Sequence, residues 1–337
     1  MNILMCYGTR PEYIKIAPLM SEFALKEISF RTLCIRQHTS LLDGLKESDY
    51  TVNVSEATNR LDGILAAGKD IQEEAFSCIS HVLVQGDTAT AFTCAMAAFH
   101  RHIPVIHLEA GLRTYDRENP YPEEIYRQLI SRIASIHLCP TEQNKQNLIN
   151  EKVFGHIHVV GNTVLDKLVK TRDKVSYGSE VLVTLHRREN HENMAEWFSA
   201  INEEAKRYPE LIFTLPIHPN PNVQKHKNLL THVNVIEPLP YEQFIERLST
   251  CLFAISDSGG IQEETSFLGK KVIVCRTITE RPETLNSTSF LCTNPEDLHK
   301  LVASAAVKPF VSKSDVYGAG NSGAIISELL KGHNENK

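Results

Sequence analysis

The feature that most constrains this chain is a recurring alternation. Short apolar runs bounded by turn residues are each followed by a stretch of helix length with its apolar positions on one face. The runs lie at 3–7, 82–84, 104–108, 156–160, 181–185, 211–216, 252–256 and 271–275, and the clearest amphipathic stretches at 11–26, 123–134, 143–150, 194–207 and 241–248. Continuous rather than alternate apolar residues suit strands covered on both sheet faces, and strand-then-helix order predicts parallel sheets. The expected fold class is α/β, with two doubly wound Rossmann-like domains facing a central cleft. A chain of 337 residues has room for two cores. The expected division is 1–165 and 166–320, with a closing helix in 321–337 that packs back on the first domain.

Composition narrows the partners. Lys and Arg number 35 against 41 for Asp and Glu, a net charge of −6, so the clustered cations on which nucleic-acid binding rests are not favoured. The eight cysteines are spread singly with no C-x-x-C pair, and they read as small core hydrophobes in a reducing compartment. The apolar start is broken by Arg10 and Glu12, too early for a signal segment, and no apolar run reaches membrane-spanning length. These features predict a cytoplasmic protein with no nucleic-acid partner and no membrane insertion.

In open α/β sheets ligands bind beyond the carboxyl ends of the strands, so the residues after each run carry the functional signal. The first run leads into Gly8-Thr9-Arg10-Pro11-Glu12, where Pro11 suits a helix start and Arg10, reinforced by Lys15, makes an anion site. The runs at 82–84 and 104–108 lead to Asp87 and Glu109, so two carboxylates share one edge, and Arg113, just after the second, is a candidate substrate- or UDP-binding cation. Pro122-Glu123-Glu124 reads as a helix start that brings Glu123 back to them with Arg127 a turn below, although first-turn acids commonly serve only the helix dipole. Clustered acids push their pKa values apart and divide acid and base roles.

The second half delivers His186 and His218 at corresponding run ends. Its strongest signal is Asp257-Ser258-Gly259-Gly260-Ile261-Gln262-Glu263-Glu264, a strand-to-helix turn where Ser258 can cap the helix, the two glycines admit a diphosphate to the backbone N–H groups, and Glu264 can accept from ribose hydroxyls. Arg281 follows the next run and offers a cation to the same anion. Gly318-Ala319-Gly320-Asn321-Ser322-Gly323 matches G-x-G-x-x-G, but too few residues follow for a dinucleotide unit, and it reads as a loose lead-in to the last helix. His156 and His158 alternate in a run without a third ligand, so neither a metal nor a nicotinamide cofactor is assigned.

Taken together, these segments, with His107–Thr114, Val160-Gly161-Asn162-Thr163, His186-Arg187-Arg188-Glu189, His218–Asn222 and Thr279–Glu283, resemble the bacterial UDP-N-acetylglucosamine 2-epimerases in family order along nearly the whole chain. The resemblance implies a glycosyltransferase-B-like fold, a homodimer and a UDP-sugar substrate. It places Asp87, Glu109 and Glu123 on the catalytic carboxylates, His186 on the active-site histidine, and Arg10, Ser258, Gly259, Gly260 and Glu264 on UDP-binding positions. It further implies that UDP leaves as C2 is deprotonated, giving a 2-acetamidoglucal to which UDP re-adds after a proton returns on the opposite face. Which carboxylate is base and which is acid stays open. A hydrolysing 2-epimerase, a 2-epimerase of a related UDP-diacetamido sugar, a glycosyltransferase of the same fold and a non-catalytic nucleotide-sugar sensor are the alternatives. The Arg10-Pro11-Glu12 form of the first loop resembles the non-hydrolysing branch. Gln37-His38-Thr39-Ser40, and Ala66 or Ala67, depart from the family's regulatory-site pattern, and the connection between Val169 and Val181 is short. The expected consequence is little dependence on UDP-N-acetylglucosamine as an activator.

Overall fold

The computed structural model describes residues 1–36, 47–54 and 59–335. Two compact units appear: the first spans Met1–Lys167 and takes back the chain from Gly318 onward, and the second is Leu168–Tyr317. The first carries seven strands, β1 (Asn2–Tyr7), β2 (Ser29–Arg36), β3 (Tyr50–Asn53), β4 (His81–Gln85), β5 (Val105–Leu108), β6 (Ile136–Cys139) and β7 (His156–Val159), in the order β3-β2-β1-β4-β5-β6-β7. The second carries β8 (Glu180–Thr184), β9 (Ile212–Pro216), β10 (Asn234–Ile236), β11 (Phe253–Ser256), β12 (Val272–Cys275) and β13 (Ser289–Cys292), in the order β10-β9-β8-β11-β12-β13. Every pairing is parallel. In each sheet the order reverses between the first and fourth strands of the unit, β1 beside β4 and β8 beside β11, which makes the switch point where ligands of such sheets collect.

The continuous apolar runs have a direct cause. In β1 and β4, Leu4, Cys6, Val82 and Val84 enter one buried cluster, while Ile3, Met5, Tyr7 and Leu83 enter another on the opposite face. Both faces are therefore covered, the first by the helix Ala89–His100 and the second by Arg10–Leu25 and Ser322–Glu335. In the second unit Val181, Val183, Phe213, Leu215, Phe253 and Ile255 pack against Met194, Trp197, Phe198 and Ile201 of the helix Met194–Arg207. All eight cysteines are free thiols and seven are buried, where burial pushes Cys139 and Cys251 up to about 12.

The G-x-G-x-x-G segment is not the loose lead-in that its sequence suggests. The Asp166 carboxylate accepts from Ser322 N at 2.9 Å and Gly323 N at 2.7 Å, at the N-terminus of Ser322–Glu335. An internal anion thus occupies the helix end that a dinucleotide phosphate would use. Gly318, at φ +114°, packs so closely on Gly161 that a Cβ would stand 2.9 Å from its Cα. Among the described residues no helix is long and apolar enough to cross a membrane.

Candidate functional site

In the first unit β1 ends in a turn whose Thr9 caps the helix Arg10–Leu25 by accepting from Glu12 N. The Glu12 side chain, absent from the sequence reading as a site residue, turns out to join the two loops of the switch point. It accepts from Gly8 N at 3.1 Å and Thr9 Oγ1 at 2.7 Å after β1, and from Thr88 Oγ1 at 2.6 Å after β4. Burial raises its pKa, and these bonds pull the other way. Thr88 adjoins Asp87, so the same contacts fix the loop that presents Asp87.

Glu109 follows β5 in the left-handed region at φ 64°, an uncommon conformation for a non-glycine residue. Its surroundings over-determine it. Lys15 Nζ donates to Oε1 at 2.7 Å and Oε2 at 2.6 Å, Gln85 Nε2 donates to Oε2, and Asn162 Nδ2 reaches Oε1 at 3.4 Å. An ammonium and two amides thus converge on one buried side chain. Lys15 is therefore engaged by Glu109, a different place from the anion site that the sequence suggested for it. Asp87 is bound more lightly: Arg127 Nη2 approaches its Oδ2 at 2.5 Å, and a quarter of the side chain is exposed. Gly86 precedes Asp87 in the chain, and a Cβ on it would stand 3.7 Å from Glu109 Oε2.

Glu123 is the first residue of the helix Glu123–Ile133 and is partly exposed, as is Arg10 at the start of its own helix. The adjacent Glu124 is fully buried and accepts from Thr114 N at 3.0 Å, Tyr115 N at 3.1 Å and Gln128 Nε2 at 2.7 Å, which pins the loop after Arg113. Arg113 itself is a correction to the sequence reading. Its buried guanidinium donates to Glu151 at 2.7 and 2.9 Å, to Ser131 Oγ at 2.9 Å and to Leu112 O at 2.8 Å, so it is an internal tie and not a surface for substrate.

In the second unit the imidazoles of His186 and His218 stack at 5.0 Å with 12° between their planes, after β8 and β9. Burial lowers both pKa values, His218 to about 4, while the Asp257 charge acts in the opposite direction on each. Asp257 closes β11 and its Oδ2 accepts from His186 N at 2.9 Å, Arg187 N at 2.8 Å and Asn190 Nδ2 at 3.0 Å. The helix Gly259–Leu268 starts two residues later. Ser258 stands at its cap position but makes no side-chain cap bond, contrary to expectation; its own N–H is taken by Ser256 Oγ at 3.0 Å.

The two glycines do different work. A Cβ on Gly259 would overlap the Arg281 guanidinium, whereas one on Gly260 would meet only Ser258 Oγ at 4.0 Å. Gly259 makes room for an internal arginine, and Gly260 alone keeps the approach open that was expected of both. Arg281 is buried between Glu263, at 2.5 Å, and Glu280, so it braces the helix start where the sequence suggested a ligand for anions. Glu264 accepts from Tyr241 Oη at 2.8 Å. Gln37, His38, Thr39 and Ser40 lie outside the described residues, while Ala66 and Ala67 end the helix Arg60–Ala67. Among the described residues no group of three or more His, Cys, Asp or Glu could hold a metal ion.

The profile of the family described as UDP-N-acetylglucosamine 2-epimerase matches residues 24–331. The UDP-N-acetylglucosamine 2-epimerase of Neisseria meningitidis serogroup A is 36% identical, covering 98% of this chain and 99% of its own. That of Campylobacter jejuni is 39% identical over 85% of this chain and 84% of its own. Among solved structures, the UDP-GlcNAc 2-epimerase from Neisseria meningitidis bound to UDP-GlcNAc superposes with a TM-score of 0.86 at 35% identity, covering 98% of this chain and 100% of its own. An S. aureus MnaA–UDP co-structure gives 0.89 at 29% identity, covering 99% and 97%.

Proposed function

The chain belongs to the UDP-N-acetylglucosamine 2-epimerase family, a family of isomerases, and we propose that it interconverts UDP-N-acetylglucosamine and UDP-N-acetylmannosamine by elimination and re-addition of UDP. The observation that carries this reading is the division of chemistry between two switch points. The first unit carries Asp87 and Glu109 after neighbouring strands and Glu123 at the start of a following helix, and the second presents an uncapped helix start at Gly260 and the stacked imidazoles of His186 and His218. A carboxylate of the first set takes the C2 proton as the C1–O bond breaks, its electron pair leaving with UDP. A second carboxylate returns a proton to the opposite face of C2 before UDP oxygen re-forms the bond to C1. The N–H groups at Gly259–Gly260 stabilise charge on the leaving diphosphate. Arg10 and Glu264 complete the nucleotide contacts in this reading.

Incubation with UDP-N-acetylglucosamine in D2O, followed by proton NMR, tests it. Deuterium at C2 of both epimers is the expected outcome. A C2 proton retained after long incubation removes the elimination, and free N-acetylmannosamine as the main product transfers the assignment to the hydrolysing alternative. The glycines give a second check: Gly260→Val should raise the Kd for UDP roughly tenfold or more with the melting transition nearly unchanged, since its side chain points into space needed only by ligand. Gly259→Val should instead lower the melting temperature by displacing Arg281. Equal UDP affinity in Gly260→Val and the parent protein would move the diphosphate elsewhere.

The same proposal includes a cytoplasmic homodimer, supported by seven buried free thiols and by Tyr121, Ile125 and Leu129, exposed at the start and along one side of the helix Glu123–Ile133.

A further inference from the structure

We propose that Asp257 is a positioning residue that fixes the His186–Arg187 turn and keeps the His186 imidazole protonated once a diphosphate occupies the start of helix Gly259–Leu268. The inference rests on the functional reading above for the identity of that anion, and on the following geometry for the rest.

The Asp257 side chain is fully buried, and its hydrogen bonds are one-sided. Oδ2 takes three donors, the N–H groups of His186 and Arg187 and the amide of Asn190, while Oδ1 is buried with no hydrogen-bond partner among the described residues. A buried carboxylate that is compensated on one oxygen only is costly to keep. Fixing the turn does not require it, because an amide oxygen would accept the same N–H bonds. The charge therefore asks for a separate explanation.

The groups whose charges bear on His186 are Asp257 from the end of β11 and Arg187 and His191 from its own turn, while His218 lies stacked against it from the turn after β9. Asp257 is the one anion among them. In the free protein burial wins over it, and both imidazoles stay below their usual range. A bound diphosphate adds a second negative charge beside the stacked pair, and like the first it favours the imidazolium. His186 then stands between two anions, and the proton it gains offsets the repulsion that Asp257 would otherwise exert on the diphosphate. The imidazolium is also the form that stabilises UDP as it departs.

Asp257→Asn keeps an acceptor for the two N–H groups and deletes the charge. The experiment compares it with the parent protein by imidazole nitrogen NMR of His186 at pH 7, with and without UDP, and by steady-state kinetics. The expected result is an imidazolium in the parent UDP complex and a neutral ring in the Asp257→Asn complex, with kcat lower by on the order of 10²-fold and KM within a few fold. The same His186 charge in both complexes, or an unchanged kcat, overturns the proposal. Should Asp257→Asn not fold, the parent protein decides alone: UDP that binds while His186 stays neutral overturns this inference and leaves the functional reading intact. UDP that fails to bind the parent protein overturns both.

Discussion

Asp87→Asn, Glu109→Gln and Glu123→Gln are each expected to lower turnover by about 10²–10⁴-fold, the usual contribution of a positioned general acid or base, while UDP affinity changes only a few fold. The three should differ in kind. Asp87 is held through one oxygen by Arg127 and is partly exposed, so its amide removes a proton carrier with little rearrangement. Glu109→Gln places an uncharged amide against Lys15, Gln85 and Asn162, which lie on both of its oxygens, so the loss of charge also loosens a residue held at φ 64°. Its variant should therefore combine lost turnover with a lower melting temperature, which Asp87→Asn should not show. Kinetics from both epimers together with UDP titrations and thermal melts check this. Near-normal turnover in all three variants would take the acids out of the chemistry.

The largest expected loss of stability comes from Arg113→Met. Its guanidinium is wholly buried and bidentate to Glu151, and breaking a buried pair from one side leaves an uncompensated charge that costs about 3 kcal/mol or more. Burial pushes the Glu151 carboxyl up, but the bond and charge of Arg113 pull it further down, to below its usual range. A carboxyl depressed in the folded state stabilises above its unfolded pKa and loses that contribution as pH falls through the folded value. Urea unfolding of the parent protein should accordingly weaken on acidification below the ordinary carboxylate range, and that part of the weakening should be missing in Arg113→Met. UDP affinity should move by less than about twofold, because the side chain does not face ligand. A tenfold loss of UDP affinity with unchanged urea midpoint would restore Arg113 to the binding surface.

Arg113 shows what the sequence could and could not convey. Its position just after Glu109 suggested a ligand for anions, but the partner that claims it, Glu151, is 38 residues away and no local pattern marks the pairing. Arg281 was read the same way and is likewise claimed by an acid, Glu263, 18 residues earlier. By contrast the positions of Asp87 and Glu109 just beyond β4 and β5 follow from apolar runs that are covered on both faces. Glu12 and Asp257 stand in recognisable motifs but have no role that the sequence conveys, because they join loops and their bonds to Thr88 and His186 cross 76 and 71 residues. The strands followed the same rule. β1, β4 and β11 are centred on continuous apolar runs, whereas β2 carries Arg31, Thr32 and Arg36 and does not read as a buried strand. The core then covers Leu33, Cys34 and Ile35 from both sides.

The return of the chain to the first unit reverses the usual order of events during synthesis. Ile326 and Leu330 belong to the same buried cluster as Ile3, Met5, Leu19 and Phe23, and Asp166 finds its N–H donors only at Ser322 and Gly323. On a ribosome that emits the chain from its amino end, the whole of Leu168–Tyr317 emerges before those last partners do. The unit that begins first is thus completed last. Until then it waits with one sheet face partly uncovered and the Asp166 carboxylate without its N–H donors, so the second unit can close its core before the first does.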